Sequence, residues 1–299
     1  MIFKKTFSIF ILLIMMTPVF AAPPFMNFEG VGGGGIVPGA YRVNAPASGE
    51  IFGKPAISNW DAIGFNEDKN NIYTNGITMS LLDHFEIGYV HEINDFRRLR
   101  GNLITAGGNA FDVGEDTIFL HNFHFKTLIS NETQYLPAFA ITAEFKYNET
   151  IDDMNENIGK ALDTVGYKDD FGIDLDFSIS KTNTDLLGFP VVFHGNARLT
   201  RGHYLGLLGF SEDYTLNGEA SIAFLPLPNF GFGAEVRQQN DQFDALPFNG
   251  FTMDEDAFWD VFVTWLPNKN LSMAAAFTGF GNVVDKEINY FVFNIKYDF

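Results

Sequence analysis

The 299-residue chain contains no cysteine, so it has neither a disulfide framework nor the cysteine that a lipid-anchored N-terminus requires. Positive charge is scarce: 19 Lys and Arg stand against 37 Asp and Glu, for a formal charge of −18. That balance argues against nucleic acid as a partner, because binding phosphates takes clustered bases. Beyond the first twenty residues there is no apolar run of the roughly 20 residues that a membrane helix needs. A helical membrane protein is therefore excluded. No His/Cys spacing suited to a metal is present, and nothing implies a cofactor.

What the chain does contain is aromatic: 16% of its residues, with 34 Phe. At the N-terminus, Lys4 and Lys5 precede an apolar run from Phe7 to about Met16, followed by Thr17-Pro18-Val19-Phe20-Ala21. This order predicts a cleaved secretory signal peptide over residues 1–21, with residues 22–299 as the mature domain. Its apolar core is too short to span a bilayer. Removing Lys4 and Lys5, and no acid, takes the charge from −18 to −20.

Period-two alternation runs through the mature chain. Its clearest stretch sets Phe171, Ile173, Leu175, Phe177 and Ile179 against Gly172, Asp174, Asp176, Ser178 and Ser180. A register slip of one residue would swing both aspartates into lipid, at a cost of roughly several kcal/mol, so the facing is well determined. Similar strands are read over 72–82, 85–93, 117–129, 139–147, 191–199, 214–224, 230–236, 257–266, 271–279 and 288–299. Tight connections such as Asp83-His84 and Pro267-Asn268-Lys269-Asn270 alternate with long ones over 96–115, 149–170, 201–213 and 238–255 and a further loop near Asp285. Tyr and Trp gather at strand ends, as expected of rings at headgroup level. Backbone groups in lipid must be paired, so the sheet should close on itself. The expected fold is all-β: a transmembrane antiparallel β-barrel of about 12 strands, with short periplasmic turns and long extracellular loops, located in the bacterial outer membrane.

Residues 30–43 (GVGGGGIVPGAYRV) are read as a weak first strand that closes against the last one, with residues 44–71 as a loop. A phosphate-cradling role for Gly32 to Gly35 is set aside, since no Lys-Ser/Thr and no helix start follow. Phe28-Glu29-Gly30-Val31-Gly32-Gly33-Gly34-Gly35-Ile36-Val37-Pro38-Gly39 resembles the glycine-rich opening of domain-of-unknown-function family 3034. That resemblance implies a proteobacterial outer-membrane protein and brings no functional residue with it. The final strand, Ile288 to Phe299, alternates Phe291, Phe293, Ile295, Tyr297 and Phe299 with polar residues. It resembles the terminal strand of outer-membrane barrels, which implies the barrel-assembly machinery as a partner.

Alternation sends Glu86, Glu144, Asp174, Asp176, Glu219, Glu235 and Asp260 into the lumen with Lys126, Lys146, Arg198, Arg237 and Lys296, and His194 beside them. They either pair across strands or line a narrow polar pathway, and both can hold. Twelve strands enclose more than side chains alone fill and less than a wide porin channel. The expected function is a narrow channel for small polar solutes. The acids of 149–170 and of 238–256 would concentrate cations at its mouth, or bridge to lipopolysaccharide through divalent cations. Because the lumen charges nearly balance, these loops should set a modest cation preference. A structural or adhesin-type barrel is the alternative. A lipid hydrolase is expected less: His91 and His121 face outward together without a serine beside them, and the strand carrying His194 lacks the serine pattern of outer-membrane phospholipases.

Overall fold

The computed structural model describes residues 25–65, 69–244, 254–282 and 287–299; the signal peptide expected over 1–21, most of the loop centred on Phe248 and the loop near Asp285 lie outside them. Twelve antiparallel strands form one closed barrel: β3 (Ala56–Gly64), β4 (Asn71–Leu81), β5 (Phe85–Asp95), β6 (Thr117–Ser130), β7 (Ala138–Asn148), β8 (Phe171–Asn183), β9 (Val191–Gly202), β10 (Phe210–Leu227), β11 (Phe230–Arg237), β12 (Phe258–Asn268), β13 (Leu271–Asn282) and β14 (Glu287–Asp298). Each strand pairs with its neighbours in sequence, and β14 closes on β3 from Tyr290↔Gly64 to Asp298↔Ala56. Closure removes every free sheet edge, as lipid requires.

The wall is inside-out relative to a soluble protein. Phe123, Phe177 and Phe293 are 53%, 45% and 51% exposed on the outer face, while Lys126, Asp176 and Lys296 lie buried within. Apolar surface on this scale, wrapped round a closed sheet, is stable only in lipid. No helix among the described residues is long and apolar enough to cross a membrane; the chain crosses with strands. The long connections carry α1 (Leu99–Gly107), α2 (Ile151–Asn157) and short 3₁₀ turns at 109–111, 161–165 and 203–206, which cap the extracellular end.

The glycine-rich stretch does not close the barrel. The first barrel strand is β3, inside the segment expected to be a loop. Its alternation is masked because Asn59 and Asp61 stand where outward apolar residues would normally be. Residues 25–43 instead run through the lumen, almost entirely buried, with β1 (Phe25–Met26) folded back on β2 (Gly32–Gly33). Glycine suits this path for a different reason from the one expected: it lets the backbone lie directly against charged wall residues.

Candidate functional site

The segment reaches the lumen from the periplasmic end. There Gly53 N–H donates to the Ser80 carbonyl (2.8 Å), Leu82 N–H donates to Ile51 (2.6 Å), and the Tyr41 hydroxyl is held by Glu132 and Thr182. Deeper in, each stretch of plug backbone meets an inward side chain of the wall.

Glu86 on β5 takes the first position. It accepts N–H groups from Gly32 (3.1 Å) and Val43 (2.6 Å) and pairs with Lys126 on β6 (3.1 Å). Lys126 Nζ in turn donates to the Gly32 and Tyr41 carbonyls, both at 2.9 Å. Around the barrel, Glu235 on β11 accepts the Ile36 N–H at 2.5 Å, the Val37 N–H at 3.3 Å and the Ser221 hydroxyl at 2.6 Å. Successive backbone N–H groups thus form a concave anion nest, and its occupant is a carboxylate of the protein itself. A Cβ on Gly34 would lie 1.7 Å from Glu235 Oε1, so any side chain there would displace the Glu235 carboxylate from this position. Asp260, paired with Glu235 in register, borders Gly35.

The plug's own acid, Glu29, makes the deepest contact. Its carboxylate pairs with Arg198 (2.8 Å) on β9, Arg237 (2.6 Å) on β11 and Lys146 on β7. Those cations also reach the wall acids: Arg198 lies 3.2 Å from Asp174, 3.2 Å from Asp176, 2.9 Å from Glu219 and 3.3 Å from Glu144, and Lys146 lies 2.7 Å from Asp174. Ions taken out of water are tolerated only when so densely partnered. Above Glu29, Phe28 packs on Phe280 beneath the cap. A cavity of about 20 Å³ remains there, bordered by Glu92, Asn94, Tyr204 and Phe258, with room for about one water. In this state residues 25–43 occupy the lumen.

Of the residues expected to line the lumen, Glu86 and Lys126 grip the lower plug, while Lys146, Arg198, Arg237, Glu144, Asp174, Asp176 and Glu219 gather round Glu29. Lys296 stands apart at the periplasmic end, 2.9 Å from Asp298. His194 lies under Gly39, its Nδ1 2.7 Å from the Ser180 hydroxyl, which also accepts the Ala40 N–H. That Ser–His contact escaped the sequence reading. It is covered by the plug, and among the described residues no carboxylate bonds His194 to orient it as a catalytic base would need. Also missed were Glu29, just ahead of the stretch read as a first strand, and Glu92, an eighth buried wall acid. Among the described residues no group of three or more His, Asp or Glu is arranged to hold a metal ion.

A family model described as "Protein of unknown function (DUF3034)" matches residues 23–291. No curated protein matches the chain significantly. Among solved structures, the chain is similar to the KdgM porin (8% identity, 82% of this chain and 99% of that one, TM-score 0.48). It is also similar to the Acinetobacter baumannii outer membrane protein Omp33 (13% identity, 82% and 98%, TM-score 0.40) and to outer membrane phospholipase A from Escherichia coli (5% identity, 82% and 92%, TM-score 0.45).

Proposed function

The chain belongs to the DUF3034 family, and we propose that it is an outer-membrane channel for small polar solutes with a modest cation preference, held shut by its own N-terminal segment. The observation that carries this reading is how the segment is held: residues 25–43 occupy the lumen through hydrogen bonds, ion pairs and apolar packing, with no disulfide in a cysteine-free chain. Such a plug can leave without breaking a single barrel hydrogen bond. The wall it would uncover carries the seven acids and five bases expected of it, with Glu92 as a further acid. That excess of acid, with the acidic extracellular loops, favours cations.

The test is planar-bilayer conductance of the refolded protein beside a variant lacking residues 25–43. Rare, brief openings in the parent and a steady open level in the variant are the expected result; reversal potentials in a salt gradient then read cation preference. A structural or adhesin-type barrel without transport is the second reading, supported by how many bonds tie the plug to the wall. It prevails if the correctly folded deletion variant never conducts.

A further inference from the structure

On most strands the outward face is apolar through the middle of the membrane band, but β3 to β6 break the rule together. Asp61 on β3 stands directly opposite Phe293, midway along the outward series Phe291, Phe293, Ile295 and Tyr297 of β14. Asn59, two residues below, stands opposite Ile295. The next strands continue the polar row: Asn59 pairs with Asn75, Asn75 with His91, and His91 with His121. The two imidazoles stack at 4.9 Å, and Asn59 Nδ2 lies 3.3 Å from Asn75 Oδ1. Asp61 has no hydrogen-bond or ion-pair partner among the described residues. A carboxylate facing lipid at this depth costs free energy, and no bond among the described residues offsets that cost.

We propose that this face is the interface with a second copy of the chain, in which Asp61 of each protomer meets His91 of the other. Two protomers inserted the same way round are related by a two-fold axis along the membrane normal, which makes the contact isologous. With the axis beside β4, the strand between them, β3 of one copy faces β5 of the other. The contact then requires Asp61 and His91 to lie at the same depth. The row from Asn59 through Asn75, His91 and His121 ends on Tyr147, one residue from the extracellular end of β7, so it climbs from β3 towards β7. For strands about 4.8 Å apart and tilted about 40°, two strands raise His91 roughly 6 Å above Asn59. Two residues along the tilted strand raise Asp61 roughly 5 Å above Asn59. The heights agree, and Asn75 falls near the axis, where it meets its own copy. A carboxylate set against an imidazole, matched depth and a self-pairing amide all specify a partner with this same surface.

The cysteine-free sequence makes the test direct. Asn75→Cys, on the axis, is compared with Val263→Cys, an outward residue on β12 that is 46% exposed in the apolar band. Oxidation in native outer membranes should convert most Asn75→Cys protein to a disulfide-linked species of twice the chain mass and leave Val263→Cys monomeric. Adding Asp61→Leu should cut that yield at least tenfold, although it removes a lipid-facing charge and leaves the barrel's heat-modifiable gel mobility intact. Equal yields for the two cysteines, or a yield untouched by Asp61→Leu, would overturn the proposal. A cross-linked product of another mass would assign the face to a different protein and overturn it equally.

Discussion

At the residue scale the plug rests on two positions that act through opposite chemistry. Gly34 has no side chain, and that is its role: alanine there would drive the Glu235 carboxylate away from the Ile36 and Val37 N–H groups. Each buried N–H left unpaired costs about 1–3 kcal/mol. Gly34→Ala should therefore raise the open probability in bilayers while the barrel still folds; unchanged gating would mean the nest does not hold the segment. Glu29 works by charge, pairing with Lys146, Arg198 and Arg237 at once. Losing one partner of a buried ion pair costs about 3 kcal/mol at the low end, the relevant end here because Glu144, Asp174, Asp176 and Glu219 still surround the cations. Glu29→Gln should thus shift the closed-to-open ratio by roughly a hundredfold, at about 1.4 kcal/mol per decade. Single-channel recording of the variant beside the parent measures it.

At the element scale, the fate of the glycine-rich segment separates two architectures. Were it the closing strand, deleting residues 25–43 would abolish insertion. With β14 paired to β3 over nine residues, the deleted barrel should insert and close normally, as impermeant-probe protection and gel mobility would record. Eleven of the barrel strands were legible from alternation, because side chains facing lipid and lumen differ so sharply that register leaves its mark on each strand alone. β3 was not legible, since Asn59 and Asp61 erase its apolar face, and the reason for them lies outside the single chain. The plug was not legible for a different reason: its partners are remote, Ile36 meeting Glu235 199 residues away, and no local pattern encodes such a contact. The lumen charges could be named from alternation, but their grouping around Glu29 could not. The acidic loop offers its own test. Burial and then the Asp152 charge push the Asp170 carboxyl up from its ordinary value, so it takes a proton at higher pH than a free aspartate. As pH falls the loop therefore loses charge earlier than free aspartates would, and any cation preference it contributes should begin to weaken at a higher pH than free aspartates would give. Asp152→Asn should move that loss to lower pH, read as reversal potential against pH.

At the scale of the whole molecule, both the wall and the loops carry excess negative charge, and their contributions can be told apart by salt. Asp152 and Asp153 lie in the first turn of α2, with Glu156 in the same helix, at the water-exposed cap. Their field is screened within about 10 Å at 0.1 M salt and about 3 Å at 1 M. The wall acids face a narrow path with low-dielectric walls, in which screening is weaker. Alternation alone puts the lumen charges near balance, which leaves selectivity to the loops; Glu92 and the removal of Glu29 with the plug both bear on that balance. The open barrel should therefore keep part of its cation preference at 1 M salt. Neutralising Asp152, Asp153 and Glu156 together should lower the reversal potential at 0.1 M and leave the value at 1 M nearly unchanged. A preference that vanishes at high salt would place selectivity in the loops alone. An anion-selective open state would instead mean that Arg198 and Arg237, released from Glu29, govern what passes.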